Sequence, residues 1–209
     1  EPSPTRDHTE RMLGAMGAEV AVGREVCVVG PASLSPLSGA IPADASSAAF
    51  WLAAASLAPG SDLLLPAVGI NPGRRAFVDL LRQWGAEIDV IPVPDSAGEP
   101  MADLRVRSRG VSLRGGSVTP GRVPGLIDEL PLLGFLAPFT ERGVEVRGAG
   151  ELRLKESDRI TSTVAAVRAL GGSAQEVPDG FTVAGGTGLG GGEIDAAGDH
   201  RIALAAAAV

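Results

Sequence analysis

Lys155-Glu156-Ser157-Asp158-Arg159 sets two cations and two carboxylates within five positions, just before a segment with helical apolar spacing. A solvated first turn accounts for Glu156 and Asp158, because the helix dipole favours negative charge at an N-terminus. It does not account for Lys155 and Arg159, which the same dipole disfavours. Cations at a helix start make sense where they and the free backbone N–H groups face an anion together. On residue types alone the two readings weigh about equally. Asp128-Glu129 stands before Leu130-Pro131, where a helix would take a carboxylate as its N-cap. Asp199-His200-Arg201 invites the same explanation, yet Arg201 opens an otherwise apolar run, so its guanidinium is expected to point at something specific. Arg6-Asp7-His8 repeats the pattern. Several helix starts, each with acidic and basic groups, suit acid–base work on a multiply anionic small molecule.

The elements that must position these residues follow an internal repeat. Segments beginning at Thr5, Asn71 and Lys155 each run from a polar or basic start through a helical apolar pattern to a closing glycine and a strand. Aligned on Gly17, Gly85 and Gly171, Leu13, Leu81 and Val167 coincide, as do Met16, Trp84 and Leu170. Residues three apart share a helix face. A glycine just past a helix end supplies the left-handed conformation needed there. A second class alternates with the first: Asp44-Ala45-Ser46-Ser47, Asp128-Glu129 and Asp199-His200-Arg201 precede runs apolar nearly all round, which read as buried helices.

Strands are expected over Asp62–Leu65, Glu87–Ile91, Leu104–Ser108, Val144–Val146 and Phe181–Val183. Gly185–Gly192 precedes no helix, so it reads as a flexible turn and not a phosphate loop. Two complete units then span about 40–120 and 121–198, a third starts at Asp199, and residues 1–38 end an earlier one. The chain is expected to begin and end mid-unit.

With 209 residues, 44% of them hydrophobic, there is ample material for a core, but 3% aromatic content means it is built from Ala, Val, Leu and Ile. The 29 glycines and 16 prolines favour many tight connections over long helices. A net charge of −7 without a basic tract argues against a nucleic-acid partner. The single Cys27, within Val26-Cys27-Val28-Val29, is expected to be a buried small hydrophobe, and it excludes an intrachain disulfide. No stretch reads as a signal peptide, and the apolar runs Ala48–Ala58 and Ile202–Val209 are too short to span a bilayer. A cytoplasmic location is expected.

Six stretches together closely resemble the EPSP synthase family of enolpyruvyl transferases. They are Pro4–Leu13, Asp44–Phe50, Ile70-Asn71-Pro72, Leu126–Pro131, Glu151–Arg159 and Gly198–Ala203, and they occur in the family's order along essentially the whole chain. The resemblance implies an α/β (α+β) fold, an inside-out α/β barrel of repeated βαβαββ units. Residues 1–38 would end the first domain and 39–209 would form most of the second. It implies transfer of the enolpyruvyl group of phosphoenolpyruvate to the 5-hydroxyl of shikimate 3-phosphate, without metal or organic cofactor. Asp128 would bind the shikimate hydroxyls and act as general base, and Glu156 would handle proton transfer at the phosphoenolpyruvate methylene carbon. Lys155 would bind shikimate 3-phosphate and stabilise charge, and Arg159 and Arg201 would clamp phosphoenolpyruvate. Arg6, with Thr5 where the family often has Ser, would meet the 3-phosphate. The full-length enzyme would be a monomer.

Other family parts are not within these residues: a Lys-Ser pair followed by Arg, a Gly-Asn-rich loop, a Ser-x-Gln segment and a further Lys. They belong before residue 1 and after Val209, so the 209-residue chain alone is expected to be inactive. Two rivals share the fold. UDP-N-acetylglucosamine enolpyruvyl transferase uses a reactive Cys on a mobile loop and lacks the Lys155–Arg159 pattern. A non-catalytic binding module would be marked by loss of the charged helix starts.

Overall fold

The computed structural model describes residues 6–23, 26–29 and 33–209. Thr5 therefore lies outside the described residues. The elements run α1 (His8–Ala15), β1 (Glu19–Val22), β2 (Val26–Val29), α2 (Ala45–Leu57), β3 (Asp62–Gly69), α3 (Ala76–Trp84), β4 (Glu87–Ser96) and β5 (Glu99–Arg107). They continue with β6 (Gly116–Val118), α4 (Leu130–Leu136), β7 (Val144–Val146), α5 (Arg159–Ala169), β8 (Ala174–Val177), β9 (Gly180–Val183) and α6 (His200–Ala207). Every strand and helix expected from the sequence is present. Cys27 lies in β2, which pairs antiparallel with β1; its burial falls outside the described residues.

The two repeats share one sheet topology. In the first, β3, β5 and β4 lie in that order and Ala43 bridges Val68 in parallel, which makes residue 43 the vestige of an opening strand. In the second, the order is β6, β7, β9, β8, with β6 parallel to β7 and the remaining pairs antiparallel. Each repeat thus closes on a hairpin whose later strand sits inside the sheet. β6 belongs to the second sheet, although the sequence reading left residues 116–118 at the tail of the first unit. Its three residues, Gly116-Ser117-Val118, hold a single β-branched side chain and so carry little strand signal.

The closing glycines behave as the alignment requires. Gly17, Gly85 and Gly171 have φ of 96°, 106° and 86°, and Gly85 donates its N–H to the Arg82 carbonyl at the end of α3. The shared apolar face turns inward to different depths. Leu81, Trp84 and Val167 are buried, whereas Leu13 and Met16 are only half covered. All seven residues of α4 are buried, which places this helix at the centre of the core between α5 and α6.

Two expectations need correcting. The apolar runs of α2 and α6 are not buried all round, because no described element covers their outer sides: Trp51 is 63% exposed and Leu204 47%. The Gly185–Gly192 segment has no regular structure but is pinned. Thr187 and Gly188 donate to the Pro138 carbonyl, and Gly190 donates to that of Leu170. Leu189 packs against the core as a further anchor.

Candidate active site

The charged helix starts converge. Arg6, Asp128, Lys155, Glu156, Arg159 and Arg201 all line one cleft of about 810 Å³, together with His200, Glu151 and the apolar Val123 and Ile127. Of the site residues expected from the sequence, only Thr5 is not placed there, since it lies outside the described residues. Arg6 precedes α1, Asp128 precedes α4, Lys155 and Glu156 lie in the turn before α5, and Arg159 and Arg201 are at the first turns of α5 and α6.

Asp128 is free to face the cleft because α4 does not use it. The helix is capped at Glu129 with no side-chain hydrogen bond, and Pro131 in its first turn has no N–H to satisfy. The expected capping role of this acidic pair is therefore not what the structure contains. The starts of α2, α5 and α6 are capped by aspartates. Asp44 accepts from the N–H groups of Ser46 and Ser47, Asp158 from Thr161, and Asp199 from Arg201.

Released from capping, the Asp128 carboxylate is surrounded by guanidinium groups. Arg6 Nη2 stands 2.5 Å from its Oδ2, Arg74 Nη1 3.3 Å, and Arg201 Nη2 3.6 Å, while Arg159 Nη1 is 3.8 Å from Oδ1. Burial pushes this carboxyl up, but the charges of Arg201, Arg6 and Arg74 together outweigh it and hold the pKa below the usual aspartate value. Arg6 is brought there by its neighbour: Asp7 accepts from Arg11 Nε at 2.9 Å and from Nδ2 of the buried Asn71 at 2.6 Å.

Arg159 is 1% exposed and Asp199 fully buried, a pairing that satisfies an otherwise prohibitive charge at a helix start. Nε of Arg159 donates to Asp199 Oδ2 at 2.7 Å and Nη2 to Glu156 Oε2 at 2.5 Å. Burial raises the Asp199 carboxyl, yet the hydrogen bond from Arg159 and that from the Arg201 backbone N–H bring it below its usual value. Arg201 is not solvated: its Nη1 donates to the Asp128 carbonyl at 3.0 Å. Lys155 is ion-paired with Glu151, itself a cleft residue. Glu156 remains 56% exposed at its side chain, so it is accessible from the cleft.

Sequence reasoning missed three participants. Arg74 is visible only as a basic residue at a helix start, Asp199 reads as a cap without its ion pair, and Glu129 reads, with Asp128, as an N-cap. The repeat did carry a signal for Arg74, since the Asn71–Arg75 start occupies the same place in its unit as Lys155–Arg159. Among the described residues, no group of three or more His, Cys, Asp or Glu is placed to hold a metal ion. No helix there is long and apolar enough to cross a membrane.

The fold is shared with a solved enolpyruvyl transferase. The chain superposes on the enolpyruvyl transferase NikO from Streptomyces tendae with a TM-score of 0.64 at 22% identity, over 93% of this chain and 43% of that one, a likeness of fold alone. The particular family is shown more closely. A sequence model of EPSP synthase (3-phosphoshikimate 1-carboxyvinyltransferase) matches residues 1–209, and the chain belongs to that family. It is 46% identical over 207 residues to the 3-phosphoshikimate 1-carboxyvinyltransferase of Synechococcus sp. (strain JA-3-3Ab), covering 98% of this chain and 46% of that protein. It is 49% identical over 207 residues to that of Xanthomonas campestris pv. campestris (strain B100), with the same coverage. The solved EPSP synthase from Acinetobacter baumannii superposes with a TM-score of 0.92 at 38% identity, over all of this chain and 48% of that one. The chain spans about half the length of the curated relatives it matches.

Proposed function

We propose that a polypeptide of the relatives' full length carrying these residues transfers the enolpyruvyl group of phosphoenolpyruvate to the 5-hydroxyl of shikimate 3-phosphate, releasing phosphate. The observation that carries this reading is the convergence of six separate charged residues, from helix starts spread over the chain, on one cleft. Both substrates are anions of more than one charge, and Arg6, Lys155, Arg159 and Arg201 supply the matching cations. The names of the similar proteins favour this acceptor over UDP-N-acetylglucosamine, and the retained charged starts argue against a non-catalytic module.

In this reading Asp128, held ionised, takes the proton of the 5-hydroxyl as the oxygen attacks C2 of phosphoenolpyruvate. Glu156 gives a proton to the methylene carbon, which forms a tetrahedral intermediate, and the reverse transfer accompanies loss of phosphate. Lys155 stabilises charge at the reacting centre and binds shikimate 3-phosphate. Arg159 and Arg201 hold phosphoenolpyruvate, and Thr5 and Arg6 meet the 3-phosphate. Arg159 comes to this task with Nε committed to Asp199, so its Nη1 edge is what it presents.

The same reading takes residues 1–38 as the end of one domain and 39–209 as most of a second, in a monomeric cytoplasmic enzyme. Phosphate release by the full-length polypeptide, with phosphoenolpyruvate and each acceptor in turn, tests it. Turnover is expected with shikimate 3-phosphate and none with UDP-N-acetylglucosamine, and the 209-residue chain alone is expected to be inactive. The opposite acceptor preference would overturn the reading.

A further inference from the structure

We infer that Arg74 is a positioning residue for Asp128, held from behind by Ser46 and Glu129, and that this network fixes the ionisation and orientation of the carboxylate. The inference rests on the reading of Asp128 as general base for its consequence in turnover, but not for its geometry.

Arg74 belongs to the loop between β3 and α3. That loop is set by Asn71, whose side-chain oxygen accepts from the Gly73 N–H at 2.8 Å and whose carbonyl accepts from the Arg74 N–H at 2.7 Å. The guanidinium is only 13% exposed. It does not line the large cleft. It lines a separate cavity of about 220 Å³, with His8, Asp44, Asn71 and Glu99. A substrate in the cleft would therefore meet Asp128 and not Arg74.

The fork of Arg74 divides between two helix starts. Nη1 donates to Asp128 Oδ2 at 3.3 Å, while Nη2 donates to Ser46 Oγ in the first turn of α2. Ser46 in turn donates to Glu129 Oε1 at 2.5 Å. Glu129 is 4% exposed, and burial drives its pKa above the usual glutamate value. Glu129 Oε1 stands 3.9 Å from Arg74 Nη2, farther than the 3.3 Å between Nη1 and Asp128 Oδ2, so the direct guanidinium contact goes to Asp128. Arg74 Nη2 also lies 3.8 Å from Asp44, the cap of α2. The remaining charges on Asp128 come from the front: Arg6 ahead of α1, Arg159 of α5 and Arg201 of α6. A substrate with its own phosphate and carboxylate would draw these front cations towards itself. Arg74, out of its reach, is the cation that would stay with Asp128.

The test uses the full-length polypeptide. The Asp128 carboxyl is titrated by 13C NMR, and the pH dependence of kcat/KM is recorded, for the parent, Arg74→Ala, Arg74→Lys and Ser46→Ala. An opposite charge within this range lowers an aspartate by one to three units, so losing one of four cations is expected to raise the midpoint by about one unit. The acid limb of kcat/KM moves up with it, and kcat falls more than KM rises. Arg74→Lys, which keeps charge without the fork, restores part of the shift. Ser46→Ala keeps every charge, shifts the midpoint in the same direction by less, and carries the test if Arg74→Ala does not fold.

An unmoved midpoint in these variants, with only thermal stability changed, overturns the inference. Asp128→Asn run alongside separates the two ideas. If it retains full turnover, the general-base reading fails, while a raised Asp128 midpoint in Arg74→Ala still supports the positioning role.

Discussion

The starts of α2 and α4 occupy the same place in two repeats with the same strand order, yet they do different things. At α2, Asp44 turns its carboxylate onto the N–H groups of Ser46 and Ser47 and serves the helix. At α4, no side chain caps, Pro131 has no N–H that needs a partner, and Asp128 turns away towards four arginines. The difference teaches that duplication supplies a frame in which one copy of a helix start can be spared for chemistry while the other keeps its structural task. The α6 start lies between them: Asp199 both caps its helix and neutralises the buried Arg159.

Substitutions can break that contrast, and the largest effect is expected where both tasks meet. Asp199→Ala removes the buried partner of Arg159 and leaves it only the exposed Glu156 and the longer contact to Asp128, and chemical denaturation should show a loss of about 3 kcal/mol. Acid is the reversible counterpart. The Asp199 carboxyl is held below its usual value of 3.8, so its contribution to stability is full above that value and is lost as pH falls through its folded pKa. Thermal midpoints measured down the acid range should fall, and less steeply in Asp199→Asn. Asp44→Ala removes a cap and a long, largely exposed contact to Arg74, for a loss of about 1 kcal/mol in the same denaturation experiment. Smallest is Arg75→Ala at α3, whose pairing with Asp79 at 2.9 Å is exposed. Denaturation should register about 0.3–0.5 kcal/mol.

Much of the frame was legible from the sequence because its signals are local. The positions of Leu81, Trp84 and Gly85 announce a helix face and its end, and Val144–Val146 was bounded correctly by its β-branched residues and flanking glycine. The cleft members were legible one by one, as charges that a helix start does not want. Partnerships across the fold were not. Arg74 reaches a carboxylate 54 positions away, and nothing in its neighbours says so. Asp199 looked complete as a cap, since one carboxylate has lone pairs enough to cap and to bind Arg159. β6 escaped because Gly116-Ser117-Val118 holds a single β-branched residue.

The account's central claim is that the α4 carboxylate has been released from capping to do chemistry. The most direct test is the turnover of full-length Asp128→Asn beside Asp44→Asn, with phosphoenolpyruvate and shikimate 3-phosphate as substrates and cooperative unfolding as a check on folding. Asn still caps a helix but accepts no proton. The account predicts that kcat falls by about 10²–10⁴-fold in Asp128→Asn and stays at the parent value in Asp44→Asn. Turnover in Asp128→Asn within a few-fold of the parent would contradict it.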